Sequence, residues 1–153
     1  MSVIVSRAAD RMDSVKGKGI VSKLRDPELF RQQCLIDGKW SNADSGRTLL
    51  TRDPATGASI STVPDMGASE VIRAVAAATR AFGDWSRTTA MERAEVLRKW
   101  HALIIENIND LARILTAEQG KPLAESRGEV KMAADYVLWF SEEARRVCGD
   151  TIP

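Results

Sequence analysis

A single histidine and two cysteines among 153 residues leave little material for nucleophilic or metal chemistry. His101 stands in a helical stretch beside Trp100, Cys34 in an apolar strand-like stretch, and Cys148 just before Gly149. The two cysteines are far apart and neither has metal-ligand spacing around it. That excludes a disulfide framework and points to a reducing, cytoplasmic setting. Charge of one sign is also lacking: 22 Lys+Arg against 21 Asp+Glu leave a net charge of +1. A strongly basic nucleic-acid binder and an acidic solvating tail are both excluded on that balance. No apolar run approaches the roughly 18 residues of a membrane span. Neither a phosphate-cradling glycine loop, a nucleophile elbow nor a zinc-protease helix motif is present. What remains is 44% hydrophobic and 28% charged residues, the composition of one soluble globular domain.

Residues 1–25 read as a flexible extension. Arg7, Arg11, Lys16, Lys18, Lys23 and Arg25 alternate with small and aliphatic residues, and Gly17 and Gly19 interrupt a helix. Asp10, Asp13 and Asp26 argue against an organellar leader, which would be poor in acids. Asp26-Pro27-Glu28 predicts a short helix with proline at its first position. A hairpin follows, in which Cys34-Leu35-Ile36 turns at Asp37-Gly38 into Lys39-Trp40, because that dipeptide tolerates the positive φ of a tight primed turn. Residues 47–52 and 58–63 form a second hairpin around Asp53-Pro54-Ala55-Thr56-Gly57, closed by Pro64.

Everything after Gly67 predicts helix. Ser69 is the expected cap of a helix with an apolar stripe at Val71, Ala74, Val75, Ala78, Phe82 and Trp85. Thr89 and Glu92 form a capping box that opens a stripe of Leu97, Trp100, Ile104, Ile108, Leu111 and Leu115, broken near Asn107 and Asn109. Gly120 suits a left-handed helix end, and Lys121-Pro122 restarts the chain. A last helix carries Leu123, Val130, Ala133, Ala134, Val137 and Ala144 and is expected to run to Cys148-Gly149. These stripes, with Trp85, Trp100 and Trp139, read as core. Residue chemistry by itself thus describes an α+β domain without a visible active site.

Several segments resemble one family. Residues 29–40 (Leu-Phe-Arg-Gln-Gln-Cys-Leu-Ile-Asp-Gly-Lys-Trp) and 53–57 (Asp-Pro-Ala-Thr-Gly) are similar to the opening of the aldehyde dehydrogenase superfamily. The most specific segment is 118–130 (Glu-Gln-Gly-Lys-Pro-Leu-Ala-Glu-Ser-Arg-Gly-Glu-Val), followed by 139–144 (Trp-Phe-Ser-Glu-Glu-Ala) and 149–153 (Gly-Asp-Thr-Ile-Pro). In order and without gaps from 26 to 153, they resemble succinate-semialdehyde dehydrogenases in particular. Departures such as Asp53 for the usual Asn and Ala117 for a usual Leu are minor.

The resemblance implies an α/β fold with a Rossmann-like cofactor domain, of which residues 26–153 would be the incomplete N-terminal part: two β hairpins followed by a mainly helical layer. It also implies an oxidoreductase using NAD or NADP, in which a cysteine thiolate attacks the aldehyde, a hydride passes to the nicotinamide, and a glutamate-activated water hydrolyses the thioester. In the family those groups and the cofactor's glycine turn lie downstream. No catalytic or cofactor-binding residue is therefore expected here, and neither Cys34 nor Cys148 has the catalytic context.

Two further sets of residues follow from the resemblance. The carbonyls of Thr51 and Arg52 with Glu118 match a structural monovalent-cation site, and Gly128, Met132 and Tyr136 match a helix bordering the substrate entrance. The expected partner of the full-length, homo-oligomeric enzyme is a small aldehyde, succinate semialdehyde, oxidised to succinate. Nucleic acid and membrane are not expected partners. The segment by itself is expected to be inactive and self-associating. The competing reading is a non-enzymatic module that docks onto full-length dehydrogenase subunits.

Overall fold

The computed structural model describes residues 18–152. A one-turn helix α1 (Lys18–Val21) and a 3-10 turn (Pro27–Leu29) lead into β1 (Cys34–Ile36), β2 (Lys39–Ser41), β3 (Thr48–Arg52) and β4 (Ser59–Pro64). Four helices follow: α2 (Ala68–Trp85), α3 (Ala90–Glu106), α4 (Ile108–Gln119) and α5 (Leu123–Glu143). The strands make two separate antiparallel hairpins, β1–β2 and β3–β4. Of the expected N-terminal extension, residues 1–17 lie outside the described residues. Its last part is docked: Leu24 is buried, and the Asp26 amide donates to Asp110 Oδ2 of α4 at 2.9 Å.

Local chemistry accounts for most boundaries. Asp37 and Gly38 hold φ of 53° and 72°, the two positive values a type I′ turn requires, and pair Ile36 with Lys39. In the second turn Asp53 Oδ1 accepts from the amides of Ala55 at 2.8 Å and Thr56 at 3.3 Å, an Asx turn closed by Gly57 at φ 72°. Thr89 and Glu92 exchange the two bonds of the capping box, at 3.2 and 2.7 Å. The long helical pattern does break at Asn107, whose Nδ2 donates to the Leu103 carbonyl at 2.9 Å. Gly120 ends α4 at φ 74° and lies so close to Pro54 that an added Cβ would come within 3.0 Å of its Cγ.

Three expectations are corrected. The cap of α2 is Gly67, not Ser69, because Glu70 reaches back to accept from the Gly67 amide at 3.0 Å, while Ser69 donates to the same carboxylate at 2.8 Å. The last helix stops at Glu143 instead of running to Cys148-Gly149. The amides of Arg145 and Arg146 donate to the carbonyls of Glu142 and Glu143, three residues back, which tightens the chain out of α-geometry. Third, the apolar stripe of α2 is not core. Val71, Val75, Phe82 and Trp85, together with Trp100 and Trp139, are between 45% and 66% exposed. Periodicity shows that a helix side needs cover; it says nothing of whether the cover lies within the same stretch of chain.

What is fully buried is small. Ala94 of α3, Ala112 of α4, and Ala134, Ser126 and Ser141 of α5 have no exposed surface. They sit where α3 and α4 pack on α5, and side chains of that size let the helices approach closely. Ser126 Oγ meets Thr116 Oγ1 of α4 at 2.8 Å, and Ser141 Oγ donates to the Leu138 carbonyl at 2.6 Å, so the buried hydroxyls are paired. Helix α2 leans instead on the hairpins. Arg73 holds Asp44 with two bonds at 2.7 and 2.9 Å, and Arg80 meets Asp37 at 3.0 Å.

Candidate functional site

The exposed side of α5 carries a shallow cavity of about 270 Å³ lined by Met132, Asp135, Tyr136 and Trp139. Positions 132, 135, 136 and 139 recur at helical spacing, so one side of an uninterrupted helix presents all four. Met132, Tyr136 and Trp139 are more than half exposed, and they give the cavity polarizable, apolar walls. Asp135 is its one charged lining residue and pairs with Lys131 Nζ at 2.6 Å. The structure therefore brings together Met132 and Tyr136, two of the three residues that the resemblance implies at an entrance. Gly128 lies one turn earlier, in open space, and does not line the cavity. Asp135 and Trp139 were missed from sequence, although spacings of three and seven from Met132 carried the signal.

The cation ligands implied by the resemblance lie on two segments that the fold brings into contact. Gly120, two residues past Glu118, packs on Pro54 and Ala55, just past Thr51 and Arg52. The β3–β4 register slips between Thr51 and Arg52, so the backbone departs from regular pairing there. Thr51 Oγ1 is itself engaged, donating to the Ser61 carbonyl at 3.0 Å. Glu118 is exposed, yet partial desolvation raises its carboxyl above its ordinary value, and it forms no ion pair among the described residues. Beside this contact a cleft of about 380 Å³ opens between α1, the Asp53 turn and α4, with Lys23, Arg113 and Thr116 on its walls.

Two buried carboxylates hold the scaffold. Glu70, 3% exposed, accepts from the Asp44 amide at 2.7 Å as well as from Ser69 and Gly67. Those bonds, the Asp44 amide first, hold its pKa at about 2. At Asp110 burial pushes the carboxyl up, but the amides of Asp26 and Arg25 and the Arg113 guanidinium at 2.8 Å outweigh it, and the net shift is downward. Both carboxylates are satisfied by their own chain and have no free oxygen aimed at a ligand site.

The nucleophile candidates stay apart. Cys34 is half-buried in β1, Cys148 is exposed beyond α5, and His101 is half-buried in α3. Among the described residues no three His, Cys, Asp or Glu side chains gather to hold a metal ion. No helix among them is long and apolar enough to cross a membrane. The arrangement can hold an apolar ligand segment beside one carboxylate.

Comparison with known proteins gives this geometry a context. Residues 40–153 match the model of the aldehyde dehydrogenase family. The chain is 58% identical over 131 residues to 3-sulfolactaldehyde dehydrogenase of Pseudomonas putida, covering 86% of this chain and 27% of that protein. With the same coverage it is 54% identical to glutarate-semialdehyde dehydrogenase of Pseudomonas aeruginosa, and 50% identical to the NADP(+) succinate-semialdehyde dehydrogenase of Escherichia coli. The crystal structure of succinate-semialdehyde dehydrogenase from Burkholderia pseudomallei superposes with a TM-score of 0.82 at 54% identity, over 85% of this chain and 27% of that one. The chain thus spans about a quarter of the length of these relatives. Two hairpins followed by helices are the N-terminal part of that shared α/β fold. The chain belongs to the aldehyde dehydrogenase family.

Proposed function

We propose that this chain supplies the N-terminal part of the cofactor-binding domain of an NAD(P)-dependent semialdehyde dehydrogenase that oxidises succinate semialdehyde to succinate, and that it has no dehydrogenase activity alone. The observation that carries this reading is the match over 131 residues to the N-terminal parts of three dehydrogenases whose names each specify an aldehyde. In this reading residues 1–25 are an extension, and 26–153 position the wall of the substrate entrance, with Met132 and Tyr136 facing the aldehyde's path.

The Gly67 amide at the start of α2 and the Thr89 and Glu92 amides at the start of α3 are taken by Glu70, Glu92 and Thr89 of this chain. In this reading cofactor binding, the thiolate and the general base fall to the rest of the enzyme.

A chimera tests the proposal. Replacing the matching N-terminal part of the Escherichia coli NADP(+) succinate-semialdehyde dehydrogenase with this chain is expected to keep NADP-linked oxidation of succinate semialdehyde within roughly tenfold of the parent, about 1.4 kcal/mol in barrier. The 153-residue chain assayed alone is expected to show no turnover. A folded chimera without activity towards succinate, glutarate and sulfolactaldehyde substrates would overturn the reading.

We also propose a monovalent-cation site at the carbonyls of Thr51 and Arg52 and the carboxylate of Glu118. The donor set is hard and oxygen-only, which suits such an ion. A cation would also compensate a carboxylate that desolvation otherwise disfavours. In the chimera, exchanging sodium for a bulky organic cation is expected to lower the melting temperature, and Glu118→Gln to abolish that dependence. A cation effect of equal size in both proteins would sink the assignment.

A further inference from the structure

We propose that the Lys131–Asp135 pair on α5 selects substrates by charge, with Asp135 restraining anionic aldehydes at the cavity and Lys131 offsetting it. This rests on the reading of the cavity as a substrate entrance. The cavity is otherwise walled by Met132, Tyr136 and Trp139, so Asp135 is its one charged lining residue, and the paired Lys131 sets how much of that charge an incoming aldehyde meets. The pair spans 2.6 Å with both side chains more than half exposed, and it anchors no packing.

Helix stability is a poor account of it. Lysine preceding the acid by four residues is the less favourable order on a helix, and aspartate is a weak helix former in an interior turn. The aldehydes named for the three relatives each carry an anionic end, a sulfonate or a carboxylate. An isolated carboxylate at the mouth would repel them, and an isolated ammonium would draw them in. Paired, the two present a nearly neutral rim whose balance either residue can tip.

The experiment compares kcat/KM for succinate semialdehyde with that for butanal, an uncharged aldehyde of the same carbon number, in the chimera described above. Asp135→Asn is expected to raise kcat/KM for the anionic aldehyde by about three- to tenfold, mainly through KM, and to leave butanal unchanged. Lys131→Met is expected to lower it by a similar factor. The double variant should return to the starting ratio. Both single-variant differences should fade towards 1 M salt, where screening acts within about 3 Å.

Variants that alter both aldehydes equally, or contrasts that persist at high salt, would overturn charge selection while leaving the entrance in place. A parent chimera inactive towards both aldehydes would remove the underlying reading, and this inference with it.

Discussion

Prepared alone, the 153-residue chain is expected to bind the dye ANS, to elute as broad assemblies and to lack a cooperative thermal transition. The reason is the distribution of apolar surface. Among the described residues the buried hydrophobic side chains are Leu24 and five alanines, while Phe82, Ile72 and Trp139 are each more than 60% exposed. Full burial of a large apolar side chain stabilises by about 1.5–3 kcal/mol. Leaving those three uncovered forgoes about 5–9 kcal/mol, comparable with the roughly 5–15 kcal/mol that keeps a whole domain folded. Two hairpins with unpaired edges add sites for strand addition. Size-exclusion chromatography with calorimetry checks this, and a monodisperse monomer with a sharp, reversible transition would contradict it.

In the chimera, Ala134→Leu is expected to cost about 1–3 kcal/mol, because Ala134 has no exposed surface and a larger side chain would wedge the packed helices apart. Ala133→Leu, one residue earlier on the exposed side of α5, is expected to fall within about 0.5 kcal/mol of the parent. The comparison isolates packing from helix propensity, since the two substitutions are chemically identical. Denaturant unfolding of both variants checks the difference. Equal costs would mean that the α3–α5 seam is looser than described.

That pair of neighbours also shows how far the sequence can be read. Ala133 and Ala134 both fall on the apolar stripe of the last helix, yet one is exposed and the other buried. Alanine is a strong helix former with little hydrophobic signal, so a seam built from alanine and serine leaves no periodic trace. The larger residues do leave one, and it marks the sides of α2, α3 and α5 that have no cover among the described residues. Legible for the opposite reason were the caps and turns. Asp37-Gly38, the Asp53–Gly57 loop, Thr89 with Glu92, and Gly120 all depend on partners within five residues.

The candidate site divides the same way. Met132 and Tyr136 came from family resemblance, and Asp135 and Trp139 joined them once the continuous helix was seen. The contact between Gly120 and Pro54, which joins the two segments that carry the proposed cation ligands, was invisible in one dimension.

By itself, then, the sequence determined where strands turn, where α3 begins, where the long helical pattern breaks and which family supplies the plan, because those signals lie in short motifs and local backbone preferences. Only the tertiary structure decided which carboxylates are locked in place. Glu70 caps α2 while holding an amide 26 residues away, and Asp110 fastens the chain at Asp26, 84 residues before it. A carboxylate's role depends on the donors that surround it in space, and no spacing along the chain encodes those.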